Sequence, residues 1–137
     1  MVSRVLVTDD EERIIRNVKV IFEEMDNIEV VKAQDLTSIV DFVEREKLHL
    51  IITDLRVPKM GRLEFLKQIK AMDSELPVIV VTGDESIETA VDSMKEGAFD
   101  YIIRPFEGES LSLAVEKALK MRSLAMENRY LRKELES

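Results

Sequence analysis

The stretch HLIITDLRVPK (His49–Lys59) carries four uncharged residues, Leu50 to Thr53, straight into the carboxylate of Asp54. An earlier stretch, VLVTDDEE, does the same: Val5 to Val7 run through Thr8 into Asp9 and Asp10. Short apolar runs of this kind are the mark of strands buried on both faces. Two such strands ending on acid suggest three carboxylates meeting at one edge of a sheet. Gathering like charges out of water is costly, so a cation or a reaction is expected there.

The rest of the chain alternates in the same way. Ile14, Ile15, Val18, Phe22 and Met25 recur at helical spacing after the first strand (Arg4–Thr8). The strand Ile28–Lys32 precedes a helix with Asp35 as N-cap and Ile39, Val40 and Val43 as its apolar stripe. Beyond the Val57-Pro58 loop, Phe65, Leu66, Ile69 and Met72 mark another helix. PVIVVT (Pro77–Thr82) reads as a strand. GDESIETAVDSMKEG reads as a helix capped by Asp84 and stopped by Gly97. The strand Asp100–Arg104 is closed by Pro105, and a last helix runs from about Glu107 towards the C-terminus.

Strand and helix thus alternate through five units, which predicts an α/β fold with a parallel sheet covered on both faces. In such sheets, sites form beyond the carboxyl ends of the strands. Asp9, Asp10, Asp54, Thr82 and Arg104 all fall at those ends.

Composition narrows the chemistry. The 137 residues include no cysteine and one histidine, so thiol catalysis and multi-histidine metal sites are excluded. No run approaches the roughly 18 apolar residues of a membrane span, and the N-terminus lacks the apolar core of a signal peptide. A soluble, cytoplasmic protein with no membrane partner is expected. Residues 1–116 hold 14 Lys and Arg against 25 Asp and Glu, a balance of −11, whereas residues 117–137 hold 6 against 3, or +3. The body repels nucleic acid and the tail is only weakly basic, so no direct nucleic-acid binding is expected.

Clustered carboxylates without His or Cys suit a hard cation bound through oxygen. Mg²⁺ fits, because it needs few protein ligands and leaves positions for phosphate oxygens. Asp54 could then act as a nucleophile that forms an aspartyl-phosphate, with the Thr82 hydroxyl and the Arg104 cation on the phosphoryl group.

TDDE, ITDLRVPKM, VVTGDE and DYIIRPF, in this order and spacing, resemble the receiver domain of bacterial two-component response regulators, over residues 3 to about 120. The resemblance implies a flavodoxin-like (βα)5 doubly wound sheet in strand order 2-1-3-4-5. It implies that Asp9 and Asp10 bind metal, that Asp54 takes a phosphoryl group from a sensor histidine kinase, and that Arg56 lends its carbonyl to the metal. Thr82 resembles the switch hydroxyl and Tyr101 the aromatic that changes rotamer with it. Mg²⁺-dependent self-phosphorylation and self-dephosphorylation at Asp54 are implied, rather than conventional enzyme turnover.

Two positions depart from the family pattern. Arg104 stands where the family usually has Lys. Met60-Gly61-Arg62-Leu63 stands where it commonly reads Met-Asp-Gly-Leu, so the glycine comes one place early.

The tail, LKMRSLAMENRYLRKELES, spaces Met121, Leu124, Asn128, Leu131 and Leu135 as an a/d seam with Asn128 at an a position. It is similar to the linker of sigma-54-dependent transcriptional activators, in which an ATPase domain and a DNA-binding helix-turn-helix follow. The expectation is a receiver over residues 1–120, a helical linker or short coiled coil over 121–137, and a homodimer. With neither output domain in these residues, the chain is expected to be a regulatory fragment or a natural truncation.

Three other functions compete with this reading. A dehalogenase-type phosphatase wants Asp-x-Asp, but residue 56 is Arg. A nucleotide or flavin domain wants a glycine-rich cradle, and the chain has four glycines and neither signature. The third is a receiver-like interaction module that works without phosphorylation.

Overall fold

A computed structural model describes residues 2–8, 20, 22–23, 25, 27–45, 47–55, 60–83, 86–103 and 108–136, without the side chain of residue 62. Strands β1 (Ser3–Thr8), β2 (Ile28–Lys32), β3 (Leu50–Thr53), β4 (Val78–Thr82) and β5 (Asp100–Ile103) alternate with helices α1 (Leu36–Arg45), α2 (Arg62–Met72), α3 (Ile87–Lys95) and α4 (Gly108–Glu136). The strands form one parallel sheet in the order β2-β1-β3-β4-β5, the expected doubly wound order. Of the first helical stretch, Ile14, Ile15 and Val18 lie outside the described residues.

Period-two alternation splits the strands between two cores. Val5, Val7, Leu50, Ile52, Ile79 and Val81 face Leu111, Ala114, Val115 and Ala118 of α4. Leu6, Ile51, Val78 and Val80 face the other way, onto Ile39 of α1 and Phe65, Leu66 and Ile69 of α2. With both faces covered, β1, β3 and β4 can be apolar almost throughout, and β3 and β4 are buried at every position. β2 and β5, at the edges, stay partly open.

Helix ends follow local chemistry. The Asp35 carboxylate accepts from the Ser38 N–H at 2.8 Å and caps α1 as expected. α3 corrects the reading of its cap: Ser86 is the N-cap, its Oγ accepting from Thr89 N–H at 3.3 Å. Asp84 lies outside the described residues. Both residue types cap well, and the helix starts at the later one because the Ser86 hydroxyl stands three residues before an N–H that needs an acceptor. Gly97 ends α3 at φ 101, the left-handed turn that favours glycine. A Cβ there would also lie 3.2 Å from Lys70 Cε of α2.

α4 is a single 29-residue helix that passes residue 120 without a break. Its buried stripe runs Leu111, Ala114, Val115, Ala118 and then Arg122, a charged residue only 4% exposed. No described helix is long and apolar enough to cross a membrane.

Candidate functional site

Among the described residues, the carboxyl edge of the sheet collects small hydroxyl residues and the acid Asp54. β1 and β3 end in register, Thr8 against Thr53. The Thr8 hydroxyl donates to Thr53 Oγ1 at 2.6 Å, and both residues are buried. Thr53 Oγ1 also accepts from Leu55 N–H at 2.9 Å. Leu55 has φ 67, a left-handed conformation that costs a leucine about 1–2 kcal/mol. The Thr53 bond helps hold that turn, and the turn fixes the backbone on either side of Asp54.

Asp54 itself is 2% exposed. A carboxylate in such a place is tolerated only if hydrogen bonds or a cation meet its charge. Thr82 ends β4, two residues beyond the Val80 that pairs with Thr53, and is buried as well. Tyr101 pairs with Val80 one strand further out, half-buried against the core shared with α2. The structure therefore brings Asp54 and Thr82 to one edge and sets Tyr101 on the strand beside Thr82. Asp9, Asp10, Arg56 and Arg104 lie outside the described residues; Asp9 is the residue that follows Thr8 in the chain.

Among the described residues this edge offers oxygen donors, the carboxylate of Asp54 and the hydroxyls of Thr8, Thr53 and Thr82, which is the donor chemistry of Mg²⁺. Among the described residues no three acidic or histidine side chains gather into a metal site. Two of the three acids expected there are not among those residues, and Asp54 alone supplies a buried carboxylate that a divalent cation would relieve.

The displaced glycine imposes no special geometry. Gly61 is the N-cap of α2 at φ −69 and ψ 150, a conformation open to any residue, and a Cβ there would meet Glu64 only at 3.8 Å. The Thr8–Thr53 pair and the strained Leu55 were missed by sequence reasoning. Threonines one place before Asp9 and Asp54, on two strands ending alike, were the available signal.

The response regulator receiver domain model matches residues 5–116. The chain belongs to this family. Among curated relatives, the regulatory protein AtoC of Escherichia coli is 31% identical over 134 residues, covering 98% of this chain and 29% of AtoC. The C4-dicarboxylate transport transcriptional regulatory protein DctD of Rhizobium meliloti is 40% identical over 88 residues, 64% of this chain and 19% of DctD. The chain thus spans less than a third of the length of these relatives. Among solved structures, NtrX from Brucella abortus superposes with a TM-score of 0.82 at 33% identity, covering 97% of this chain and 31% of NtrX. A response regulator receiver domain protein from Clostridium thermocellum gives 0.78 at 33% identity, covering 90% of this receiver and 99% of its own chain.

Proposed function

We propose that this receiver is a phosphorylation switch whose acceptor is Asp54, charged by a sensor histidine kinase. The observation that carries the reading is a residue 2% exposed at the end of β3, Asp54, on the same edge as the Thr82 hydroxyl that ends the neighbouring β4. Asp54 would attack phosphorus, forming an O–P bond as the N–P bond of the donor phosphohistidine breaks, with the electron pair staying on the imidazole, which takes up a proton from water. Asp9, Asp10, Asp54 and the Arg56 carbonyl would hold Mg²⁺, which supplies charge neutralisation on the phosphoryl oxygens. The Thr82 hydroxyl would donate to one of those oxygens. Arg104 would offer a guanidinium in place of the usual ammonium, longer and more weakly hydrated.

Once Thr82 is drawn to the phosphoryl group, Tyr101 on the neighbouring strand has room to turn inward. The surface this would bias is made of α3, β5 and the start of α4. Ile87, Val91, Met94, Ile103 and Leu113 stand exposed there. The output is expected to be transcriptional, through domains of the kind that follow the receiver in sigma-54-dependent activators.

The same reading assigns homodimerisation to the far half of α4. Met121, Leu124, Leu131 and Leu135 are each more than half exposed, in line with Asn128. Leu124→Glu with Leu131→Glu should leave a monomer by sedimentation, because both side chains are exposed and neither supports the core.

Intact mass after incubation with Mg²⁺ and acetyl phosphate tests the acceptor. A gain of about 80 Da, one phosphoryl group, is expected, and Asp54→Asn should abolish it. No gain on the native chain would refute phosphoacceptance and favour an interaction module independent of phosphorylation.

A further inference from the structure

The core stripe of α4 does not stop where the apolar residues stop. Arg122 and Arg129, seven residues apart, continue it past Ala118, and both turn onto one acid of the receiver body. Arg122 grips Asp73 with both terminal nitrogens, Nη2 to Oδ2 at 2.6 Å and Nη1 to Oδ1 at 3.3 Å. Its Nε donates to the Leu48 carbonyl at 3.3 Å. Arg129 Nη2 reaches the same Asp73 Oδ1 at 3.0 Å, and its Nε donates to Glu75 Oε2 at 2.6 Å. Planar forks of this kind fix direction as well as distance.

The two body groups that Arg122 holds have a common origin. Leu48 lies two residues before β3, and Asp73 is the C-cap of α2. They are the far end of the β3–α2 unit. Its near end is Asp54 at the close of β3 and Gly61, the N-cap from which α2 begins. α2 runs unbroken between the two ends, about 16 Å of helix, and is fixed to the sheet by buried Phe65, Leu66 and Ile69.

We propose that Asp73 is a positioning residue for output. Through Arg122 and Arg129 it clamps the emerging linker helix to the unit that carries the phosphoacceptor, so that a shift of α2 at Asp54 is delivered to residues 122–136. The clamp arginines occupy b positions when Met121 and Asn128 are a positions, so the clamp leaves the a/d seam free. The transmission half rests on Asp54 being the phosphoacceptor.

Amide exchange of the full chain, read beside intact mass, tests both halves. Asp73→Asn should speed exchange of residues 123–133 at least tenfold and leave Val78–Thr82 as in the native chain. Because Arg122 would lose its buried partner, this variant risks general destabilisation. Arg129→Gln, at a residue 45% exposed, is the milder second variant and should speed exchange over 126–133 alone. Native-like exchange in these segments for both variants would overturn the clamp. With Mg²⁺ and acetyl phosphate, the native chain should gain a phosphoryl adduct and change its exchange over 123–136. The Arg129→Gln variant should gain the same adduct with that response at least halved. An adduct with equal responses in both proteins would overturn transmission. No adduct on the native chain would refute the phosphoacceptor reading, and transmission with it, while the clamp would still be decided by the first comparison.

Discussion

Replacing Thr53 by Val tests whether one buried hydroxyl organises the turn around Asp54. Valine keeps the shape of threonine and removes the acceptor of two donors, Thr8 Oγ1–H at 2.6 Å and Leu55 N–H at 2.9 Å. Thr8, Thr53 and Leu55 are each at most 1% exposed, so water does not take over. A buried donor left unpaired costs about 1–3 kcal/mol. Two of them, less a gain below about 1 kcal/mol for the added methyl, give about 1–6 kcal/mol. Thr8→Val removes one donor and leaves Thr53 still accepting from Leu55, for about 1 kcal/mol. The double variant keeps only the Leu55 N–H unpaired, so its cost should fall short of the sum of the singles by about 2–4 kcal/mol. Urea unfolding at fixed m-value reads all three. With Asp54 as the proposed acceptor, its phosphorylation should slow in both proteins that lack the Thr53 hydroxyl, because the strained Leu55 turn has lost its tether. A Thr53→Val protein no less stable than Thr8→Val, or a strictly additive pair, would refute this account of the turn.

Four further outcomes follow from particular residues. Ser93 Oγ is buried in α3 with no hydrogen-bond partner among the described residues, so Ser93→Ala should stabilise the fold by about 1 kcal/mol, a rise in Tm of a few degrees; an unchanged or lower Tm would contradict this. His49 is held below its ordinary 6.5 by burial first and then by Arg122, Arg4 and Lys47, and its Nδ1 accepts from Arg4 N–H at 3.0 Å. Its stabilising contribution is complete above pH 6.5 and is lost as pH falls through the folded-state value; an NMR midpoint of 6.5 or higher would sink the prediction. At Asp73, burial pushes the carboxyl up, but hydrogen bonds from Arg122 and Arg129 outweigh it and hold it below 3.8. The stability gap between native chain and Asp73→Asn should therefore persist above that value and close as pH falls below it; a gap independent of pH would refute the assignment. Asp54→Asn should raise the Mg²⁺-free Tm by removing a buried charge, and a lowered Tm would count against carboxylate repulsion at this edge.

The strands were legible because burial on both faces leaves β3 and β4 apolar up to their terminal threonines; their order was legible only through the family resemblance. The burial of Asp54 at the end of β3 was legible for the converse reason, since an acid directly after such a run sits at the edge of a sheet covered on both faces. The Leu55 turn was not, because leucine is a poor residue for positive φ and nothing local announces it. The arginine clamp was hidden differently. A search for apolar seams in the tail finds Met121 to Leu135, but passes over two arginines seven apart that continue the stripe of Leu111, Val115 and Ala118. Their partners, Asp73 and Glu75, are remote in sequence, so charge pairing had no local trace. Ser86 displaced Asp84 as the cap of α3 because two capping residues stood close together and only the backbone N–H they serve distinguishes them.

The unbroken course of α4 also has a mechanical side. From Arg122 to Glu136 the helix extends about 21 Å beyond its last deeply buried grip. It has no proline or glycine along that length to act as a joint. A tilt of about 10° at the clamp would carry the Glu136 end through roughly 4 Å, so the helix is a lever whose fulcrum is Asp73. Displacements too small to see at the sheet would arrive at the far end as large as the width of a side chain.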